Sequence, residues 1–234
     1  KIFKLMLTKE EKNKYREELF RHLDGIAVAP IAFSLREKGV LDFILKKQYF
    51  LLSEITKKFN ANEGYLNVGL RMLASQGWLN YDVDNLKNTV TISQNNKSKI
   101  AFKHFILYDD VVHFLKTSKE FHPRSLDKDQ VSIINRIFIN YKNKKYEPTS
   151  NNPIELEIQK QIESHIEGIL VGPLIVFLGM DGMFHKYFME ASFSAEEFHE
   201  DPESFSKILN FLYYLGWFTK SKEHYKFTNK GFFF

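Results

Sequence analysis

Eight histidines and no cysteine set the limits of what this chain of 234 residues can do with metals and nucleophiles. Without cysteine there is no disulfide scaffold, no thiolate-ligated zinc or iron–sulfur site and no thiol nucleophile. No two histidines stand four residues apart, so no helix offers the paired imidazoles of a metalloprotease motif. His22 and His165 lie at corresponding places in two similar stretches, each two residues before an acid, Asp24 and Glu167. A metal-binding or catalytic role needs a carboxylate clustered beside the imidazole. Both are expected instead to be helix-packing histidines. The acidic group Glu196, Glu197, Glu200, Asp201 and Glu203 is expected to start helices and face solvent.

Phosphate-binding signatures are missing. None of the 11 glycines forms a Gly-x-Gly pair, so neither a dinucleotide fingerprint nor an S-adenosylmethionine loop is present. Gly64 and Gly69 have the spacing of a P-loop, but Leu70-Arg71 follows where Lys-Ser/Thr would be required. No catalytic, cofactor-binding or metal-binding residue is assigned to this chain, and no cofactor is expected within it.

The elements that position these residues come in two copies. His22-Leu-Asp-Gly-Ile-Ala-Val-Ala-Pro-Ile-Ala-Phe-Ser-Leu35 lies over His165-Ile-Glu-Gly-Ile-Leu-Val-Gly-Pro-Leu-Ile-Val-Phe-Leu178 without a gap. Leu66, Leu70, Leu73 and Gly77-Trp78-Leu79 then lie over Phe205, Leu209, Leu212 and Gly216-Trp217-Phe218. This predicts an internal repeat at roughly 20–97 and 163–234. In copy one, Thr8-Lys-Glu-Glu11 predicts a capping box opening a long helix, which Pro30 should kink or split and Gly39 should end. Ser53 should cap a short helix, Asn60–Gly64 should turn, and the Leu66 helix should stop at Gly77. Trp78–Tyr81 and Thr89–Ile92 read as strands. In copy two, Pro153 starts a helix, Ser194-Ala-Glu-Glu197 reads as a second capping box, and Trp217–Lys220 and Tyr225–Thr228 flank a short turn. Helix, helix–turn–helix and hairpin is the order of a winged helix.

Between the copies, Ala101–Phe121 reads as one helix, apolar on nearly every side, ended by His122-Pro123. A second helix, 126–142, carries Val131, Ile134, Ile137, Phe138 and Tyr141 as a stripe. The fold class expected is mainly α with small β-wings. The expected divisions are 1–97 and 163–234 as winged-helix units and 98–162 as a helical connector.

Charge bears on nucleic acid. The net +4 divides into +7 over 1–104, +1 over 105–161 and −4 over 162–234. The helices that would enter a DNA groove offer only Arg71 and Lys207, and the first wing carries Asp82 and Asp84. Sequence-specific DNA binding needs more cations there, although Lys220, Lys222, Lys226 and Lys230 line the second wing.

Gly39-Val-Leu-Asp42, Ser53-Glu-Ile55, Leu70-Arg71-Met72-Leu73 and Gly77-Trp78-Leu79 resemble the helical, winged-helix dimerisation region that precedes the catalytic domain of O-methyltransferase-like class I S-adenosylmethionine methyltransferases. Phe227-Thr228-Asn-Lys-Gly231 resembles the Leu-Thr-x-x-Gly that closes the wing of that region. In copy two His185 replaces the aspartate and no arginine precedes Leu212. The resemblance implies a non-catalytic region that pairs subunits and shapes a substrate pocket. S-adenosylmethionine would then be bound only by a catalytic domain that follows, and the chain reads as a fragment. The partners expected are a second copy and that domain, with no membrane. Phe105, Val112, Leu115, Ile134 and Phe138 are the candidate interface. The alternative is a winged-helix module that binds DNA or protein. No leader opens the chain and no run spans a bilayer, so a cytoplasmic location is expected.

Overall fold

The computed structural model describes residues 7–118, 128–180, 192–197 and 199–233. The protein is mainly α-helical with two small antiparallel sheets. It divides into two compact units. Unit A takes the described residues of Lys1–Leu23, His113–Lys145 and Glu167–Phe234, and unit B is Asp24–Val112 with Tyr146–Ile166.

Unit B holds the later part of α1 (Lys9–Glu37), then α2 (Val40–Ile44), β1 (Tyr49–Leu51), α3 (Leu52–Phe59), α4 (Glu63–Ser75), β2 (Asn80–Asp84) and β3 (Thr89–Ser93). Asn62 caps α4 by accepting the Tyr65 N–H at 3.1 Å. Leu66, Leu70 and Leu73 recur at helical spacing and are all buried, as the periodicity predicts. The helix stops at Gly77, whose φ of 77° is costly for any residue with a Cβ. β3 lies between β1 and β2, and Ile92 faces Phe50 on one side and Tyr81 on the other. β1 is not foreseen in the sequence: three residues of exposed–buried–exposed alternation are too short a pattern to read. Ser53 does not cap α3. The carboxylate of Glu54 accepts the Leu51 N–H instead, at 2.8 Å.

The helix expected over Ala101–Phe121 is broken. α5 (Ser98–His104) passes into a 3₁₀ turn, Phe105–Tyr108, before α6 (Asp109–Ser118). The tighter turn eclipses positions three apart, and Phe105 and Tyr108 are both buried by it. Residues 119–121 and the His122-Pro123 stop lie outside the described residues.

Unit A contains the start of α1, α7 (Lys128–Lys142), the later part of α8 (Pro153–Met180), β4 (Phe193–Ser194), α9 (Pro202–Tyr214), β5 (Phe218–Ser221), β6 (His224–Phe227) and a last short helix, α10 (Asn229–Phe233). The Thr8 box forms as predicted: Thr8 N–H donates to Glu11 at 2.8 Å and Glu11 N–H to Thr8 Oγ1 at 3.1 Å. The strand order β4-β6-β5 places the last strand in the middle, as in unit B. Ser194 and Glu197 pair at 3.4 Å, but they open a 3₁₀ turn, Ala195–Glu197, rather than an α-helix. Asp201, followed by Pro202, caps α9 instead. His185 lies outside the described residues.

Neither Pro30 nor Pro173 splits its helix. α1 and α8 run through them, although each proline removes one backbone donor. Buried Val28, Ala29 and Ala32 flank Pro30, and buried Val171 and Leu174 flank Pro173. Packing on both sides of the lost hydrogen bond keeps the helix whole. Among the described residues no helix is long and apolar enough to cross a membrane.

Candidate functional site

His22 and His165 are both buried, and both sit where two helices come within backbone contact. In unit A, a Cβ on Gly168 would stand 2.3 Å from His22 Cα. In unit B, a Cβ on Gly25 would stand 2.4 Å from the His165 carbonyl oxygen. The His-x-x-Gly of one copy thus closes on the His-x-x-Gly of the other, and only glycine leaves room. The close approach is made by the histidine backbones, which leaves the imidazoles to serve other contacts.

Their side chains meet different chemistry. His22 Nε2 stands 3.9 Å from Glu18, one turn earlier on α1, and 3.8 Å from Glu167 on α8. Lys230 at the start of α10 reaches the same two carboxylates, at 2.5 Å from Glu18 and 2.9 Å from Glu167. It also donates to the Leu215 carbonyl at 3.2 Å and lies over the Trp217 ring. Burial works against the Lys230 ammonium, but Glu167 and Glu18 outweigh it and hold its pKa above the ordinary lysine value. Burial also dominates at His22, where it outweighs both glutamates and, helped by Lys230, pulls the imidazole below its ordinary pKa. The lowered pKa favours the uncharged imidazole at pH 7, while Lys230 stays protonated.

The clustered carboxylates that a metal or catalytic histidine requires are thus present, and the sequence reading did not find them. Glu18, His22 and Glu167 bring ligand atoms within 4.8 Å of one another. The ammonium of Lys230 already bridges both carboxylates, and a divalent ion would have to displace it. The donor set fits an internal ion-pair latch better than a metal centre. Glu18 lies at the i−4 position from His22, which the sequence does show. The approach of Lys230 across more than 200 residues has no local signal.

In unit B uncharged aromatic side chains pack against His165. His165 Nδ1 shares a 2.8 Å hydrogen bond with the Tyr108 hydroxyl, and the Trp78 ring stands 5.8 Å away. Trp78 Nε1 donates to Gln161 at 3.1 Å. Burial raises the Tyr108 pKa well above its ordinary value, so the phenol keeps its proton.

The candidate interface residues are largely consumed inside the chain. Phe105 and Val112 are buried in unit B, and Ile134 is buried in unit A. Leu115 and Phe138 are half-buried. The Phe138 ring packs on Phe211 and Tyr214 of α9. The acidic run is exposed at Glu196, Glu197, Glu200, Asp201 and Glu203, as expected. Of the wing lysines, Lys220 is held by Glu223 and Asn210 and Lys230 by the latch, while Lys222 and Lys226 are exposed.

Residues 15–81 match the sequence model of the AprA N-terminal domain, and residues 167–234 match that of the AprA winged helix domain. The second stretch is a winged helix, in agreement with the strand order and the α9 helix before it. Glu18 and His22 lie in the first match, Glu167 and Lys230 in the second, so the latch joins the two matched segments. No curated protein matches the chain.

Proposed function

We propose that this chain is a non-catalytic N-terminal region of an S-adenosylmethionine-dependent, methyltransferase-like protein. Its task would be to pair subunits and to shape the substrate pocket of a catalytic domain. The observation that carries the reading is the pair of three-stranded sheets with one strand order, in each of which a hairpin follows a helix that closes on Gly-Trp. That arrangement, with Gly39-Val-Leu-Asp42 and Leu70-Arg71-Met72-Leu73, is the one the methyltransferase resemblance calls for. The reciprocal glycine–histidine approach supports two copies of one structural unit. The match to a winged helix domain supports the fold part of the reading and is silent on methyl transfer.

The test compares this chain with the product of the whole reading frame that encodes it. S-adenosylmethionine should bind the latter and not the 234-residue chain. Binding by neither, or by this chain alone, overturns the reading. Pairing is tested by light scattering: a mass about twice 27.7 kDa is expected at tens of micromolar. A monomer there removes dimerisation from the proposal.

One observation favours the second reading, a winged-helix interaction module, in its protein-binding form. On α4 the outward residues Tyr65 and Val68 are 83% and 54% exposed, an apolar surface where a DNA reader would carry cations. Arg71 lies near the Tyr81 ring and Lys207 is paired with Glu203 at 3.1 Å. Duplex DNA should therefore bind weakly and without sequence preference, and lose affinity as salt rises to physiological strength.

A further inference from the structure

We propose that unit B carries a binding site for a small amphiphilic anion, an aliphatic carboxylate in chemical class. A cavity of about 590 Å³ opens between the C-terminal half of α1 and the α3–α4 turn. That volume lies within the roughly 300–1,000 Å³ typical of small-molecule sites. Its walls are mostly apolar, with Ile31, Leu35 and Leu66 among them. Gly69 deepens it: a side chain there would begin 3.2 Å from Ile31 Cγ2. An apolar hollow of this size favours a hydrocarbon body.

Charge selects the sign of the polar end. Lys38 is the one charged residue in the lining. It is exposed at the mouth, and no ion pair engages it among the described residues. Ser34, one turn earlier on α1, adds a hydroxyl on the same rim. A carboxylate at Lys38 with its chain over Ile31 and Leu35 satisfies both parts. An ammonium in the same place would meet like charge. The site uses neither the latch nor the wing, so it stands apart from the methyltransferase-like reading.

The experiment titrates the 234-residue chain, methyl-labelled at isoleucine and leucine, with octanoate and with octylammonium, followed by NMR. Octanoate should shift the Ile31, Leu35 and Leu66 methyl signals and saturate in the millimolar range, as befits about ten heavy atoms in a preformed hollow. Octylammonium should bind at least about fivefold more weakly, and Lys38→Glu should erase that preference, the size expected of an exposed charge. Ser34→Trp, on an exposed position of the rim, should abolish binding while the remaining methyl spectrum keeps its native dispersion. No saturable shift with octanoate, equal affinity for octylammonium, or binding that survives Ser34→Trp would each overturn the proposal.

Discussion

The surroundings of His22 and His165 are the sharpest contrast in the molecule. Both imidazoles occupy one position of the repeated sequence, both are buried, and both lie where a glycine lets two helix backbones touch. One faces two carboxylates and an ammonium, the other a phenol and an indole. Shared position therefore preserves the backbone contact, which tolerates no Cβ. It leaves the side chain's chemistry to whatever the rest of the fold brings up. In unit A that is Lys230, from the far end of the chain. In unit B it is Tyr108, from the buried 3₁₀ turn.

The largest effect should come from the glycine contact that occurs once in each unit. Gly168→Val forces a branched side chain into the backbone at His22, and Gly25→Val does the same at His165. Each should cost about 3–5 kcal/mol, in the range of severe core strain, read by urea denaturation. Similar losses at the two glycines would show that the helix contact is equivalent in both units. A loss at only one would break the comparison at its base.

Next comes the charge that separates them. Lys230→Met leaves Glu18 and Glu167 together, with side chains 24% and 18% exposed and no ammonium between them. A fully buried broken pair costs more, and the residual exposure reduces the expected loss to about 2–3 kcal/mol. Restoring charge balance with Glu18→Gln in the same chain should recover part of it. Tyr108→Phe, the matching change in unit B, removes one neutral hydrogen bond and should cost about 1 kcal/mol. If the neutral site proved the costlier to break, the latch would be contributing less than its geometry implies.

Most of this fold was legible because it is written locally. The Thr8 box, the Leu66–Leu70–Leu73 face and the stops at Gly77 and Gly216 each need only a few neighbouring residues to be read. The wings appeared from alternation and turn residues, to within a residue or two except at the end of β2, which runs three residues past the expected Tyr81 to Asp84. What escaped was short or distant. β1 and β4 are three and two residues long and are strands only because β3 and β6 pair with them. The break at Phe105–Tyr108 has no proline or glycine to mark it, since burial of two rings decides it. The site was less legible than the fold. The repeat singles out both histidines and predicts a packing role for them. The latch went unseen because its partners come from three separate helices.

The smallest predicted effect is also the most specific to unit A. Burial pulls the His22 pKa below 6.5 in the folded protein, while in the unfolded chain it returns to the ordinary value. Between those two values the unfolded chain binds the extra proton and the folded one resists it. Stability must therefore fall as pH drops from 6.5 toward the folded pKa, and level off below it. One group supplies at most about 1.4 kcal/mol per pH unit across that window. The carboxylates held low by hydrogen bonds, Glu54, Glu155 and Asp201 among them, add a loss of their own as the pH falls through their lowered pKa values. His22→Gln keeps a polar side chain of similar reach and removes the proton site. Urea midpoints measured from pH 7.5 down to the start of the carboxylate limb should slope for the unmodified protein and run flatter for His22→Gln. Identical slopes would mean that Glu18 and Glu167 offset the burial of His22 in full, and that the charged surroundings of unit A leave its histidine as indifferent to pH as an exposed one.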